Sequence, residues 1–368
     1  MNERGSRLNT IMSHLFALGG VSCNVKSKIL KCLEKSYEND NVVVHYNDYA
    51  KVSEFYSFDA NAGQILYAAY RCKHDESFKR DYDRTHIFDC TPLERSLVVQ
   101  SARDDYNRCK SETIYKQCKE MGLCDGWKCI VLNVDSKVEK RSSRSSSSHN
   151  VCDEKIQEYL KVWTYVMQFQ IYNIDNGNGK VSIAEHENNI VQMVHSTLYK
   201  WRNVDDGLMV YEHRMPLFRS KIASFDLDET IVTTDRDMSF SKTPLEWRFK
   251  YDNVKEKFIE LLDKDYCIMI IVNAAPAASP CDIAKLRKAI ESICRNLNLP
   301  LVVYVSTKPN KYRRPNTGIF EHLIAGKYLI DFKKSFHCGD NDHGTSRSDS
   351  KFASNCNVNF FYDFDFFE

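Results

Sequence analysis

The sequence predicts a mixed α/β chain: a C-terminal domain with a parallel sheet covered by helices on both faces, preceded by a mostly α-helical region. Three observations carry that expectation. From about residue 214 onward, short apolar runs alternate with longer amphipathic ones, the order of a βαβαβ unit, whose crossovers make the strands parallel. Gly (13) and Pro (8) together make about 6% of the 368 residues, half the usual ~12%, which disfavours a turn-dense all-β fold. Upstream, apolar residues recur at the three- and four-residue spacing of helices.

Composition narrows the function classes. Charged residues are 27% and hydrophobic ones 43%, which is ordinary for a globular chain and excludes wholesale disorder. The 51 Lys+Arg balance 50 Asp+Glu, a formal net charge of +1, so the chain as a whole is not a polybasic nucleic-acid or membrane binder. Near-neutrality favours self-association. The 14 cysteines include no CxxC pair, which argues against a zinc ribbon or a thioredoxin-type motif. They are expected as reduced thiols of an intracellular protein, with disulfides within or between chains as the alternative. The opening segment does not have the pattern of a secretory signal, and no run of ~18 apolar residues predicts a membrane span.

The elements follow in chain order. Residues 1–137 form the expected helical region. Leu8, Ile11, Met12, Leu15 and Phe16 predict a helix ended by Gly19-Gly20, and Ile29, Leu30, Cys32 and Leu33 predict another over 25–37. Residues 50–70 and 91–121 also read mainly as helix, with a short strand at 42–46. Residues 138–150 (VEKRSSRSSSSHN) form a Ser-rich linker, since serine runs bury too little to offset their ordering entropy.

Residues 151–213 form a further helical segment, with Tyr159, Leu160, Trp163, Val166, Met167 and Phe169, then Ile190, Val191, Met193, Val194 and Leu198. Between these runs Asn176, Asn178, Gly179, Val181 and Glu185 fit an EF-hand pattern, but Ile174 stands at its first ligand position. Calcium is therefore not expected, and a plain Asn/Gly turn is. In residues 214–368, strands are expected at 222–225, 267–272 and 301–305, helices at 254–262 and 281–297, and 335–338 leads into a loop.

The chemistry-bearing motif is Asp226-Leu-Asp228-Glu-Thr230, directly after the first of these strands. Two carboxylates at i, i+2 on a strand's carboxyl end point into one crevice, where ligands of parallel sheets sit. One can attack phosphorus, both can help hold Mg²⁺, and the second can shuttle a proton. Gly339-Asp340-Asn341-Asp342 offers a further metal carboxylate.

These residues carry a resemblance. The stretches 222–234 (IASFDLDETIVTT), 243–247 (TPLEW) with Arg248, 268–273, 312–318 (YRRPNTG) with 320–323, 338–340 and 349–355 (DSKFASN) occur in order over roughly 145 residues. Residues 214–368 thereby resemble the haloacid-dehalogenase (HAD)-like phosphatases, and more closely the 3′-phosphatase domain of polynucleotide kinase/phosphatase. The resemblance implies a HAD-like fold, with Asp226 as the nucleophile that forms an aspartyl-phosphate. It implies Asp228 as general acid/base and Mg²⁺ held by Asp226, Asp228 and Asp340. It does not cover residues 1–215, and no GxxxxGK[ST] phosphate loop occurs, so the kinase half is expected to be absent.

Two positions depart from that family. Val272 stands where a Thr hydroxyl grips the transferring phosphoryl group, and Arg314 stands for a Lys. Arg keeps the charge without the point geometry of an ammonium. Loss of the hydroxyl donor costs on the order of 10²–10³ in rate. The segment after Val272 is altered to Ala274-Ala-Pro276-Ala-Ala.

Three functional readings follow. One is an active Mg²⁺-dependent phosphatase acting on nucleic-acid 3′ ends. Another is a pseudo-phosphatase adaptor. The reading given most weight is a structural, self-assembling protein on a catalytically impaired phosphatase fold, since neutrality and cysteine richness combine with six aromatics in the last ten residues. That combination resembles an occlusion-body (polyhedrin-like) protein of an insect virus such as a nudivirus. It implies a homo-oligomeric or lattice partner, interchain disulfides, no membrane, and residence in the infected nucleus and in occlusion bodies.

Overall fold

In a computed structural model of the chain, the described residues are 15–20, 24–38, 41–46, 70–71, 74–75, 77–91, 127–134, 170–174, 182–216, 218–234, 247–275, 278–341 and 347–368. The chain divides into two compact units, Ser13–His195 and Ser196–Glu368.

The described part of the first unit is built on a sheet rather than on helices. Its strands are β1 (Leu15–Gly20), β2 (Val42–His45), β3 (Thr85–Phe88), β4 (Lys128–Val134) and β5 (Gln170–Ile174), with helix α1 (Asn24–Ser36) after β1 and α2 (Ile183–Leu198) after β5. The spatial order is β2-β3-β1-β4-β5, and every pair is parallel. This corrects the expected helical region. The run 15–18 is apolar at every position because β1, central in the sheet, is buried along its whole length. Continuous burial erases the two-residue alternation and leaves a pattern that helix periodicity imitates. The strand expected near 42–46 is β2, and the helix expected over 25–37 is α1, whose Val25, Ile29, Leu30 and Leu33 are buried. The expectations for residues 1–14, 50–69 and 92–121, and the linker 138–150, lie outside the described residues.

In the segment 151–213 read as helical, residues 151–169 lie outside the described residues, Ile183–Leu198 is a helix, and strands stand at Gln170–Ile174, Tyr199–Asp205 and Leu208–His213. Before the Asn/Gly stretch stands strand β5, with Ile174 buried in it, so the helix–loop–helix frame of an EF-hand is not present. Residues 175–181 lie outside the described residues. Ile190, Val194 and Leu198 are the buried face of α2. The chain then enters β6 (Tyr199–Asp205) and β7 (Leu208–His213), an antiparallel hairpin in the sheet of the second unit.

That second sheet has seven strands in the order β14-β13-β8-β11-β12-β7-β6. Strands β8 (Lys221–Phe225), β11 (Tyr266–Asn273), β12 (Leu301–Ser306), β13 (Phe336–Gly339) and β14 (Asn359–Tyr362) run parallel, as the alternation of apolar runs predicts. The run expected to lead into a loop at 335–338 is itself the strand β13. A short antiparallel pair, β9 (Val232–Thr234) and β10 (Trp247–Phe249), follows β8.

The helices are α3 (Val254–Asp263), α4 (Pro280–Leu297), α5 (Gly318–Ala325), α6 (Ser348–Asn355) and α7 (Asp363–Phe367). Helix α4 starts where Ser279 and Asp282 form a reciprocal capping box ahead of Pro280, which satisfies two otherwise orphan amides. Phe320 and Leu323 of α5 and Phe352 of α6 pack with Ile222, Met269, Ile271, Val302 and Tyr304 on one face of the sheet. Phe225 packs on Phe258 of α3 and on Phe366 and Phe367 of α7 on the other.

Of the six aromatics in the last ten residues, Phe367 is buried, Phe360 and Phe366 are half-buried, and Phe361, Tyr362 and Phe364 are exposed. Phe367 is buried, its ring stacks on Tyr251, and its carbonyl accepts from Asn253 Nδ2 at 2.7 Å. Cys267, Cys294, Cys338 and Cys356 are buried free thiols, and Cys281 is an exposed one. Among the described residues no helix is long and apolar enough to cross a membrane.

Candidate active site

Strand β8 ends at Phe225, and Asp226 stands at its carboxyl end with its amide donating to Cys338 O of β13 at 2.9 Å. The Asp226 carboxylate accepts the Leu227 amide at 2.7 Å. Glu229 adopts a left-handed conformation (φ 56°) and Thr230 is buried. The Thr230 hydroxyl accepts the Asp340 amide at 2.9 Å, which ties the turn after β8 to the turn after β13. Asp226 and Asp340 are thus fixed at neighbouring strand ends.

Asp349, in the first turn of α6, completes the set: ligand oxygens of Asp226, Asp340 and Asp349 lie within 4.8 Å of one another. Gly339 allows this approach. A Cβ there would stand 2.6 Å from Asp349 Cγ. Asp349 opens the DSKFASN stretch, whose spacing alone gives it no role. Its signal in the sequence is an acidic residue at the start of a short run carrying Phe352 and Ala353 after the Asp340 turn. Asp228 is not part of the cluster. It sits in the turn between β8 and β9, paired in a bridge with Val232, and is exposed.

Arg314 is the cation of the site. Its Nη2 donates to Asp226 Oδ1 at 2.5 Å and its Nη1 donates to Asp349 Oδ1. The side chain is 4% exposed. It is held by Asn273 at the end of β11: Arg314 N donates to Asn273 Oδ1 at 3.1 Å and Asn273 Nδ2 donates to Arg314 O at 3.4 Å. His337 of β13 lies beneath it, fully buried. Ser224 Oγ lies 2.9 Å from Phe336 O and from His337 Nδ1, and His337 Nε2 lies 3.4 Å from both Arg314 Nη1 and Asp349 Oδ1. Burial pushes the His337 pKa below its usual value.

Val272, the penultimate residue of β11, is 2% exposed and offers no donor there.

Electrostatics separates the two motif aspartates from Asp349. Burial pushes Asp226 above the usual carboxylate range, with Arg314 opposing and Asp349 and Asp228 reinforcing the shift. Local desolvation pushes Asp228 up to about 6, with Arg314 opposing and Glu229 and Asp340 reinforcing the shift. Burial acts on Asp349 in the same direction. There the Arg314 charge and the His337 hydrogen bond outweigh it and hold the carboxyl below its ordinary value. Three carboxylates beside one guanidinium are a hard-oxygen donor set, and such sets suit Mg²⁺.

Comparison with known proteins agrees with this site. Residues 221–367 match the family described as "Polynucleotide kinase 3 phosphatase". The chain is 30% identical over 225 residues to an uncharacterized 33.9 kDa protein of Lymantria dispar multicapsid nuclear polyhedrosis virus, spanning 58% of this chain and 75% of that one. It is 28% identical over 169 residues to a bifunctional polynucleotide phosphatase/kinase of Schizosaccharomyces pombe, spanning 43% of this chain and 40% of that one. Among solved structures, a deoxyadenosine kinase from M. mycoides with bound dCTP covers 50% of this chain and 99% of its own at 16% identity, but its TM-score of 0.36 is too low to define a shared fold. The chain belongs to the family of the Lymantria dispar virus protein and carries a polynucleotide kinase 3 phosphatase domain over residues 221–367.

Proposed function

We propose that the second unit is a HAD-like, Mg²⁺-dependent phosphatase that removes phosphate from the 3′ ends of nucleic acid. The observation that carries this reading is the convergence of Asp226, Asp340 and Asp349 within 4.8 Å beside the buried Arg314. The nucleic-acid substrate rests on the matched family description and the named function of the relatives.

In this reading an Asp226 carboxylate oxygen attacks phosphorus. The P–O bond to the 3′ oxygen breaks, and the departing oxygen takes a proton from Asp228. Water then attacks the aspartyl-phosphate, Asp228 accepts its proton, and inorganic phosphate leaves. A carboxyl whose pKa is pushed up to about 6 suits both proton transfers. Arg314 orients Asp226 and Asp349 and offsets their charge. Asp226, Asp340 and Asp349 would hold Mg²⁺, which supplies charge neutralisation at the phosphate oxygens. With Val272 in place of a hydroxyl donor, turnover is expected ~10²–10³ below that of a site with the donor.

The test offers two oligonucleotides of one sequence, one carrying a 3′-phosphate and one a 5′-phosphate. Loss of phosphate from the first alone supports the reading, and loss from the 5′ end alone contradicts it.

A further inference from the structure

We propose that Lys250 is a positioning residue of the phosphatase site: gripped by Asp363 of the C-terminal helix α7, it holds the Glu229 turn that presents Asp228. The proposal rests on the phosphatase reading for the role of Asp228.

The turn is one that needs holding. Glu229 follows Asp228 directly and adopts φ 56°. That left-handed region is uncommon for residues other than glycine, because the Cβ crowds the backbone. A residue so placed persists where its surroundings over-determine it. Three contacts do so here. The Glu229 amide donates to Val232 O at 2.8 Å. Its carboxylate accepts the Thr233 hydroxyl at 2.9 and 3.0 Å. Its carbonyl accepts Lys250 Nζ at 2.5 Å. The first two come from the turn and from β9, which follows it. The third comes from the residue after β10, whose amide also donates to Ile231 O at 3.0 Å.

The ammonium is itself fixed. Lys250 Nζ donates a second bond, at 2.5 Å, to Asp363 Oδ2, and the same oxygen accepts the Tyr251 hydroxyl at 2.9 Å. Asp363 is 2% exposed. A carboxylate buried to that degree requires a cation, and charge-assisted bonds to it are the strong ones. Asp363 opens α7, which Phe367 anchors at its other end through Asn253 and Tyr251. A lysine on its flexible stem is a poor positioning group by itself. Pinned between a buried carboxylate and a backbone carbonyl, it becomes a fixed strut from the C-terminal helix to the turn.

The strut acts on one part of the site. Asp226 and Asp349 are held by Arg314, and the Thr230 hydroxyl ties the turn to Asp340. Lys250 instead holds the residue next to Asp228. Asp228 is exposed, so its position follows its backbone. Loss of the strut lets Glu229 leave the left-handed region and carries Asp228 off the line of proton transfer, while the metal set keeps its own anchors. The signature falls on kcat, and not on KM or Mg²⁺ affinity.

The experiment compares the full native chain with Lys250→Met/Asp363→Asn, which removes both charges together and so leaves neither one buried alone. The same double variant carrying Glu229→Gly is the third protein. Phosphate release from a 3′-phosphorylated oligonucleotide, calorimetric titration with Mg²⁺ and hydrogen exchange over residues 226–233 are measured on each. In the double variant, exchange over that stretch should be about tenfold faster or more. Its kcat should fall about 10- to 100-fold, the scale of a small misplacement of a reacting group, with native KM and Mg²⁺ affinity. Glu229→Gly should restore kcat, since glycine takes the left-handed conformation without support. A folded double variant with native kcat overturns the proposal. So does a loss that Glu229→Gly does not repair, and so does a loss that comes with weaker Mg²⁺ binding. If the native chain releases no phosphate, the phosphatase reading fails by itself, and exchange decides on the strut: faster exchange sustains it and native exchange overturns it. If the double variant does not fold, Lys250→Arg takes its place, because a guanidinium keeps the charge and cannot repeat the point contact on Glu229 O.

Discussion

Arg314 Nη2 lies 2.5 Å from Asp226 Oδ1, a buried ion pair between the residue that follows Tyr312-Arg313 and the carboxylate at the end of β8. The same guanidinium also binds Asp349. One cation therefore holds two of the three clustered carboxylates, and its removal leaves buried negative charge uncompensated. Arg314→Ala is expected to destabilise the second unit by about 3–5 kcal/mol, the usual cost of breaking a buried pair from one side. Urea denaturation followed by tryptophan fluorescence measures it. Arg314→Lys keeps the charge but loses the two-pronged geometry, and should fall between the two.

Val272→Thr restores a hydroxyl at the end of β11. Phosphate release from a 3′-phosphorylated oligonucleotide should rise by ~10²–10³ if the hydroxyl reaches the transferring group. An unchanged rate in a folded variant would show that Val272 does not limit turnover.

Gly339→Ala should act on the metal set rather than on the fold at large. Its new Cβ would lie 2.6 Å from Asp349 Cγ and would displace that carboxylate. Isothermal titration with Mg²⁺ should show at least tenfold weaker binding, and Asp349→Asn should give a similar loss. Mg²⁺ affinity equal to native in both variants would remove Asp349 from the metal set.

His213 gives a pH prediction away from the site. It is buried in β7, next to the Tyr211 hydroxyl at 3.2 Å, and burial, reinforced by Arg214 and Arg295, depresses its pKa well below the ordinary value. The unfolded chain then binds a proton below ~6.5 that the folded chain refuses. Stability from this group is full above ~6.5 and is lost as pH falls from there toward the folded value. His213→Phe should flatten the decline in urea midpoint between about pH 7 and 5. A decline as steep as in the native chain would assign it to other groups.

The second unit was legible because its strands alternate with helices and its site residues sit at strand ends. Ile222 to Phe225 ahead of Asp226 is such a case. Asp349 was harder to see, because a carboxylate on a later helix reaches the site only through the Gly339 gap, which sequence spacing does not display. The first unit was misread for a different reason. Leu15–Gly20 is buried at every position, so its hydrophobicity has no period, and Gly19-Gly20 reads equally as a helix stop or as the turn leaving a central strand.

The measurement that bears most directly on the phosphatase reading is Mg²⁺-dependent release of phosphate from a 3′-phosphorylated oligonucleotide by the native chain and by Asp226→Asn. Release that requires Mg²⁺ and vanishes in a folded Asp226→Asn is the expected result. No release by the native chain at high enzyme concentration, or equal release by Asp226→Asn, would contradict it.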